Sequence, residues 1–263
     1  MKERGMPPVL VLKTDGTNCD KETQYAYSKA QGKPEIVLLS DLKEGRRRLR
    51  DYKIFAMPGG FADGDDVRSG KILAIELTAY LADQLNDFVH RDKGLILGIC
   101  NGYQALMRTG LLPFGTMGEM QATLKDNDSG KFERRTVNLR VERDNACVFL
   151  KEMEGPLSFH VAHGEGKFYA EPDKLERIEN NNQVVFRYCD ALGNPTQEYP
   201  QNPNGSLNAI AGITDPSGQI LGLMPHPERS VVKTQYENWR RMGNFKPQGL
   251  EVFERMVSYA SQM

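Results

Sequence analysis

Through the first hundred positions the apolar residues come in short unbroken runs, each closed by glycine, proline or a polar turn. "PVLVLK" (residues 8–13) ends at "TDGTN". "EIVLLS" (35–40) runs into a charged stretch, "YKIFAMPGG" (52–60) stops at Pro58 and two glycines, and "GLILGI" (94–99) breaks at Cys100. Runs this short and this apolar predict strands covered on both faces. Helical patterns lie between them. Residues 23–32 ("TQYAYSKAQG") predict a helix closed by glycine, and residues 70–90 carry Leu73, Leu77, Leu81 and Phe88 at near-helical spacing. A further helix opens at residues 102–108, directly after Cys100. Strands alternating with helices predict a parallel sheet, with the loops beyond the strands' carboxyl ends gathered along one edge. Residues 15–18, 59–66 and 100–104 all fall in such loops.

The second half follows another pattern. Residues 115–150 are charged and turn-rich around one alternating strand, "RRTVNLRVE" (134–142). "LSFHVAHGEGKFYA" (157–170) and "QVVFRYCD" (183–190) predict more strands. "AIAGITDPSGQILGL" (209–223) predicts a hairpin about an Asp-Pro-Ser-Gly turn, and Leu250, Phe253, Met256 and Val257 mark a closing helix. No repeat or linker divides the chain. The expectation is one α/β domain over residues 1–263: a mostly parallel central sheet flanked by helices, with an additional antiparallel hairpin region.

Composition narrows the function classes. The formal net charge of −1 gives no global field toward nucleic acid or membrane. The one dense basic run, "KEGRRRLRD" (43–51), predicts a solvated helix face. The opening "MKERGMPPVLVLKTDG" does not fit a signal peptide, and no apolar stretch nears the roughly 20 residues of a membrane span. Cys19, Cys100, Cys147 and Cys189 form no CxxC pair, which argues against a zinc ribbon or disulfide framework and for a reducing, cytoplasmic setting. No metal site is expected. With no GxxxxGK[ST] loop in the chain, no ATP site is expected either.

Cys100 is the centre of the candidate chemistry. A strand that turns sharply into a helix exposes its junction residue, and Gly98 and Gly102 leave room for such a turn. The helix N-terminus favours thiolate and offers free N–H groups to a developing oxyanion. A buried structural cysteine is the plainer alternative. A thiol nucleophile needs a base held by an orienting group. Of the four histidines, His90 ends a helix and is expected at the surface. His226 follows an apolar strand in "GLMPHPERS" with Glu228 two residues on, so Cys100, His226 and Glu228 form a candidate triad. The backbone N–H groups of Gly60, in "MPGGFADGDD", and Asn101 are candidate oxyanion donors.

"GICNGYQ", "PGGFADGD" and "MPHPERS" resemble the motifs of class I (triad) glutamine amidotransferases, which implies a flavodoxin-like sheet. "GTNCD", "VAHGEGKF", "YPQNPNGS" and "QGLEVFERMV" narrow the resemblance to the glutaminase subunits of phosphoribosylformylglycinamidine synthase, across Val9 to Met256. The resemblance implies that Cys100 attacks the glutamine carboxamide, that His226 is base and then acid, and that Glu228 orients it. It makes the Gly60 and Asn101 amides the oxyanion hole and has Gly59 and Gln104 hold glutamine. Ammonia would pass to a separate synthetase subunit that uses ATP, with magnesium expected there, and a small third protein can join the complex. No chemical role follows for His163 or Glu165, which are expected to serve local structure or a partner interface. Two rivals stay open: a different cysteine hydrolase on a related fold, and a non-catalytic binding subunit.

Overall fold

A computed structural model describes residues 5–263; the part of the N-terminal reading that falls on residues 1–4 lies outside the described residues. In chain order the first half holds β1 (Pro8–Lys13), α1 (Asp20–Lys29), β2 (Lys33–Leu38), α2 (Leu39–Lys43), β3 (Ile54–Met57), α3 (Lys71–Asn86), β4 (Leu95–Ile99), α4 (Asn101–Thr109) and α5 (Leu111–Phe114). The second half holds β5 (Ala122–Asp126), β6 (Glu133–Val141), β7 (Leu157–His163), β8 (Glu165–Ala170), α6 (Pro172–Asn180), β9 (Val184–Cys189), β10 (Ile210–Thr214), β11 (Ile220–Leu223) and α7 (Gln248–Ala260).

Nine strands form one sheet in the order β2-β1-β3-β4-β11-β10-β9-β6-β7, and β5 and β8 form a separate antiparallel pair. From β2 to β11 every pairing is parallel, and from β11 to β7 every pairing is antiparallel. The predicted hairpin is therefore not an appendage. Its second strand, β11, lies parallel to β4 and seams the two halves. Strands β3, β4, β10 and β11 are buried along their whole length, as unbroken apolar runs require. Two packed helix pairs, α1 with α7 and α3 with α4, cover the parallel half. Tyr27 and Phe253 join the first pair edge to face, with ring centroids 4.9 Å apart. One hydrophobic cluster extends from Val9 to Ala260.

The structure departs from the sequence reading in local ways. Helix α1 begins at Asp20, earlier than residue 23, and α3 ends in a single π turn, Asp87–Arg91. Residues 157–170 are two strands broken at Gly164, and they belong to different sheets. The basic run is no helix face. Lys43 ends α2 and Leu49–Asp51 form a single 3-10 turn; between them the chain turns at Gly45, and the exposed Arg46 and Arg47 pair with Asp41 and Glu35. Strand β5 and helix α6 were not read: β5 is five residues long, and α6 buries one side chain, Ile178.

Candidate active site

The carboxyl ends of β3, β4 and β11 lie side by side, because Met57 pairs with Gly98 and Ile99 pairs with Leu223. Cys100 follows β4, and its N–H donates to Leu223 O at 2.8 Å. The residue sits at φ 51°, ψ −104°, a conformation side chains avoid, and α4 starts at once, with Gln104 N–H on Cys100 O at 2.9 Å. Gly102 shows why the turn is so tight. A Cβ there would meet Met57 O at 2.0 Å, so α4 can press onto the end of β3 only without a side chain at this position.

His226 is three residues beyond β11. Its N–H donates to His160 O of β7 at 2.8 Å, and Pro227 opens a short turn that brings Glu228 back to the ring. His226 Nδ1 and Glu228 Oε1 are 2.5 Å apart, and both side chains are buried. Since a carboxylate can only accept, the bond places a proton on Nδ1 and turns Nε2 to the other side. Nε2 is buried without a hydrogen-bond partner among the described residues. Gly59 fits between ring and nucleophile: a Cβ there would lie 2.7 Å from His226 Cε1 and 3.4 Å from Cys100 Cβ. Cys100 and His226, 126 positions apart in sequence (226 − 100), thus meet across one glycine, with Glu228 held on the ring.

The protonation of Cys100 differs from the expectation drawn from the helix end. Burial pushes the thiol well above its ordinary range, and negative charge on Cys19 and Glu228 acts in the same direction. Arg229 and the Asn101 amide oppose them and are outweighed. The helix N-terminus contributes within its first turn, whereas desolvation acts on the whole side chain, which is 5% exposed. The Sγ rests 3.6 Å from Ala162 O.

The glycine loop is braced from the helix that Cys100 begins. Asn101 Oδ1 accepts from Ala62 N–H at 3.2 Å, and Asn101 Nδ2 donates to Asp65 at 2.8 Å and to Gln104 Oε1 at 3.1 Å. Gly60 has φ +145° and bridges to Thr17; the bridge is carried by Phe61 N–H on Gly16 O at 3.0 Å. Gln104 Nε2 donates to Glu165 O at 2.5 Å, so both ends of this amide are held within the protein. The Glu165 carboxylate accepts from Ser69 N–H and from Arg108, both at 3.3 Å. It is a strut between β8 and the segment leading into α3.

His163 is buried beside this wall. Asn127 binds its Nδ1 at 3.0 Å and its carbonyl at 2.8 Å. Burial, and then the nearby His226, lower its pKa to about 4. His90 lies exposed on the π turn, as expected. The sequence reading passed over Cys19 as a site residue. It caps α1 at the end of the β1 loop, and its Sγ accepts from Arg229 Nη2 at 3.0 Å. The signal was present: "GTNCD" follows a strand on the same sheet edge as Cys100.

A family model described as a CobB/CobQ-like glutamine amidotransferase domain matches residues 6–260. The phosphoribosylformylglycinamidine synthase subunit PurQ of Dehalococcoides mccartyi is 43% identical over 255 residues, covering 97% of this chain and 98% of that protein. The subunit of the same name from Methanococcus maripaludis is 40% identical over 268 residues, with 97% of each chain covered. Among solved structures, a chain in PurLQS from Thermotoga maritima superposes with a TM-score of 0.72 at 30% identity, covering 97% of this chain and 99% of that one.

Proposed function

We propose, from the premise that this chain belongs to the CobB/CobQ-like glutamine amidotransferase family and stands among its PurQ members, that it hydrolyses glutamine to glutamate and ammonia. The ammonia serves a partner synthetase subunit of phosphoribosylformylglycinamidine synthase, in purine biosynthesis. One observation carries the reading. The His226 ring, backed by Glu228 and with Nε2 unpartnered among the described residues, shares the space at Gly59 with a cysteine held in a strained turn.

The reaction follows from that arrangement. Cys100 Sγ attacks the side-chain carbonyl carbon of glutamine as its proton passes to His226 Nε2. Glu228 holds the proton on Nδ1 and stabilises the imidazolium. Negative charge then grows on the amide oxygen, where the N–H groups of Gly60 and Asn101 receive it. His226 returns the proton to the leaving nitrogen, ammonia departs, and a γ-glutamyl thioester remains on Cys100. Water activated by the same Nε2 cleaves the thioester to glutamate and restores the thiol. Gly59 leaves room for the substrate beside the ring. Gln104, locked onto Asn101 and Glu165, fixes the wall against which the glutamine lies. A thiol kept protonated by burial suits a nucleophile activated only when substrate is seated.

The same reading makes residues 1–263 one glutaminase domain without a cofactor of its own. ATP and magnesium belong to the synthetase subunit, a small third subunit completes the complex, and the setting is the cytoplasm. Among the described residues no helix is long and apolar enough to cross a membrane. The deciding experiment assays the Cys100→Ala chain within the complex. Glutamine-dependent synthesis is expected to vanish while ammonia-dependent synthesis persists, and mass spectrometry of the wild-type chain should trap the γ-glutamyl adduct on Cys100. Retained glutamine-dependent turnover in Cys100→Ala defeats the proposal.

A further inference from the structure

The hydrolysis leaves Cys19 without a task, yet its place beside the triad is specific. The Cys19 sulfur, a ring nitrogen of His226 and a carboxylate oxygen of Glu228 lie within 4.8 Å of one another. All three side chains are buried. Two of them carry buried atoms with no hydrogen-bond partner among the described residues, His226 Nε2 and Glu228 Oε2. Thiolate, imidazole and carboxylate are the donors that zinc and its softer relative cadmium select.

We propose that Cys19, His226 and Glu228 form a site for a thiophilic divalent cation, zinc or cadmium, whose occupancy withdraws the imidazole from Cys100. Binding stands on the three side chains alone; the inhibition it produces rests on the glutaminase reading. Tetrahedral zinc bonds of about 2.0–2.3 Å set neighbouring ligand atoms roughly 3.3–3.8 Å apart, so the widest spacing here closes by about 1 Å. Rotation of one side chain covers that distance. Coordination displaces the Cys19 thiol proton to solvent; when Nδ1 is the ligand, the proton it held against Glu228 passes to Nε2, so the imidazole stays neutral and Nε2 can no longer act as a base.

Arg229 controls entry. Its guanidinium covers Cys19, as the 3.0 Å contact shows, and its positive charge opposes a cation. The same side chain lines a cleft of about 630 Å³ that also contains the Glu22 carboxylate. Turned toward Glu22, Arg229 uncovers the sulfur and keeps an anionic neighbour. The arginine therefore weakens the site, and removing it should strengthen binding.

The test uses the full chain carrying Cys100→Ala, which eliminates the competing active-site thiol. Cadmium is titrated in, read by the ultraviolet sulfur-to-cadmium charge-transfer band and by calorimetry. One ion per chain is expected. Adding Cys19→Ser should abolish the band and weaken binding by at least about tenfold, Glu228→Gln should weaken it with the band retained, and Arg229→Gln should tighten it. Should Cys19→Ser fail to fold, Glu228→Gln and Arg229→Gln still decide the matter. No charge-transfer band, or cadmium affinity indifferent to these substitutions, overturns the proposal. In the complex with Cys100 intact, zinc should inhibit glutamine hydrolysis, with reversal by chelator. Cadmium binding by the chain, together with a wild-type complex that fails to hydrolyse glutamine, keeps the site and refutes the function instead.

Discussion

Acidification from pH 7 to pH 5 should remove about 2 kcal/mol of folding stability through His163 alone. The side chain is 2% exposed, and its Nδ1 donates to Asn127 while Nε2 has no partner among the described residues. A second proton would be a buried, unpaired charge, which is why the pKa falls from 6.5 to about 4 on folding. In the window between those values the unfolded chain binds the proton and the folded chain does not. Stability is therefore full above 6.5 and declines as the pH drops toward 4, a total of about 3 kcal/mol over the window. Urea unfolding of the wild type and His163→Asn at pH 7 and pH 5 isolates this contribution, since every other titrating group is shared. The wild type should lose about 2 kcal/mol more than the variant. If the variant does not fold, NMR titration of the wild-type imidazole gives the same information. Equal losses in the two proteins, or an imidazole midpoint near that of a free histidine, would refute the argument.

Glu228→Gln should lower glutamine kcat by roughly 10²–10⁴-fold with little change in KM, because the 2.5 Å contact that fixes the His226 tautomer loses its charge; steady-state kinetics at saturating glutamine check this. Gly59→Ala places a methyl 2.7 Å from His226 Cε1, so kcat should fall by about 10²-fold while the thermal midpoint changes little; an unchanged kcat would show the ring to be free to move. Burial raises the Cys100 thiol, so its alkylation rate in the isolated chain should still be climbing above pH 9, and a plateau near neutral pH would contradict that. The isolated chain should hydrolyse glutamine poorly and the complex well. One misplaced oxyanion donor in the glycine loop costs about 10²–10³-fold, roughly 3–4 kcal/mol, and equal rates with and without the synthetase would remove the case for coupling.

The parallel half of the fold was legible because its strands are short apolar runs and its helices repeat an apolar stripe, both set by residues close in sequence. Cys100 and the pair of His226 and Glu228 could be singled out for the same reason: an elbow and a two-residue spacing are local. What the sequence withheld depends on distant partners. The apolar and polar residues of 157–170 do not announce that β7 closes the large sheet while β8 pairs with β5. Glu165 looks like any loop carboxylate until Ser69 and Arg108 arrive to hold it. Cys100 ionisation was misjudged because burial is a property of the assembled molecule, and the helix end is visible in the chain while the covering side chains are not. Cys19 lacked a histidine nearby in sequence, and folding brings His226 and Glu228 to it.

The seam at β4 and β11 has a consequence for the making of the protein. The thiol of Cys100 is translated with the first four strands, but the imidazole, and the β11 carbonyl that holds the Cys100 turn, arrive with a strand translated long afterwards. A chain emerging from the ribosome therefore passes through most of its synthesis with a thiol and no base, and so cannot consume glutamine before the last inserted strand docks. Competence is tied to the longest-range pairing in the parallel sheet, so the onset of hydrolysis would mark completed folding.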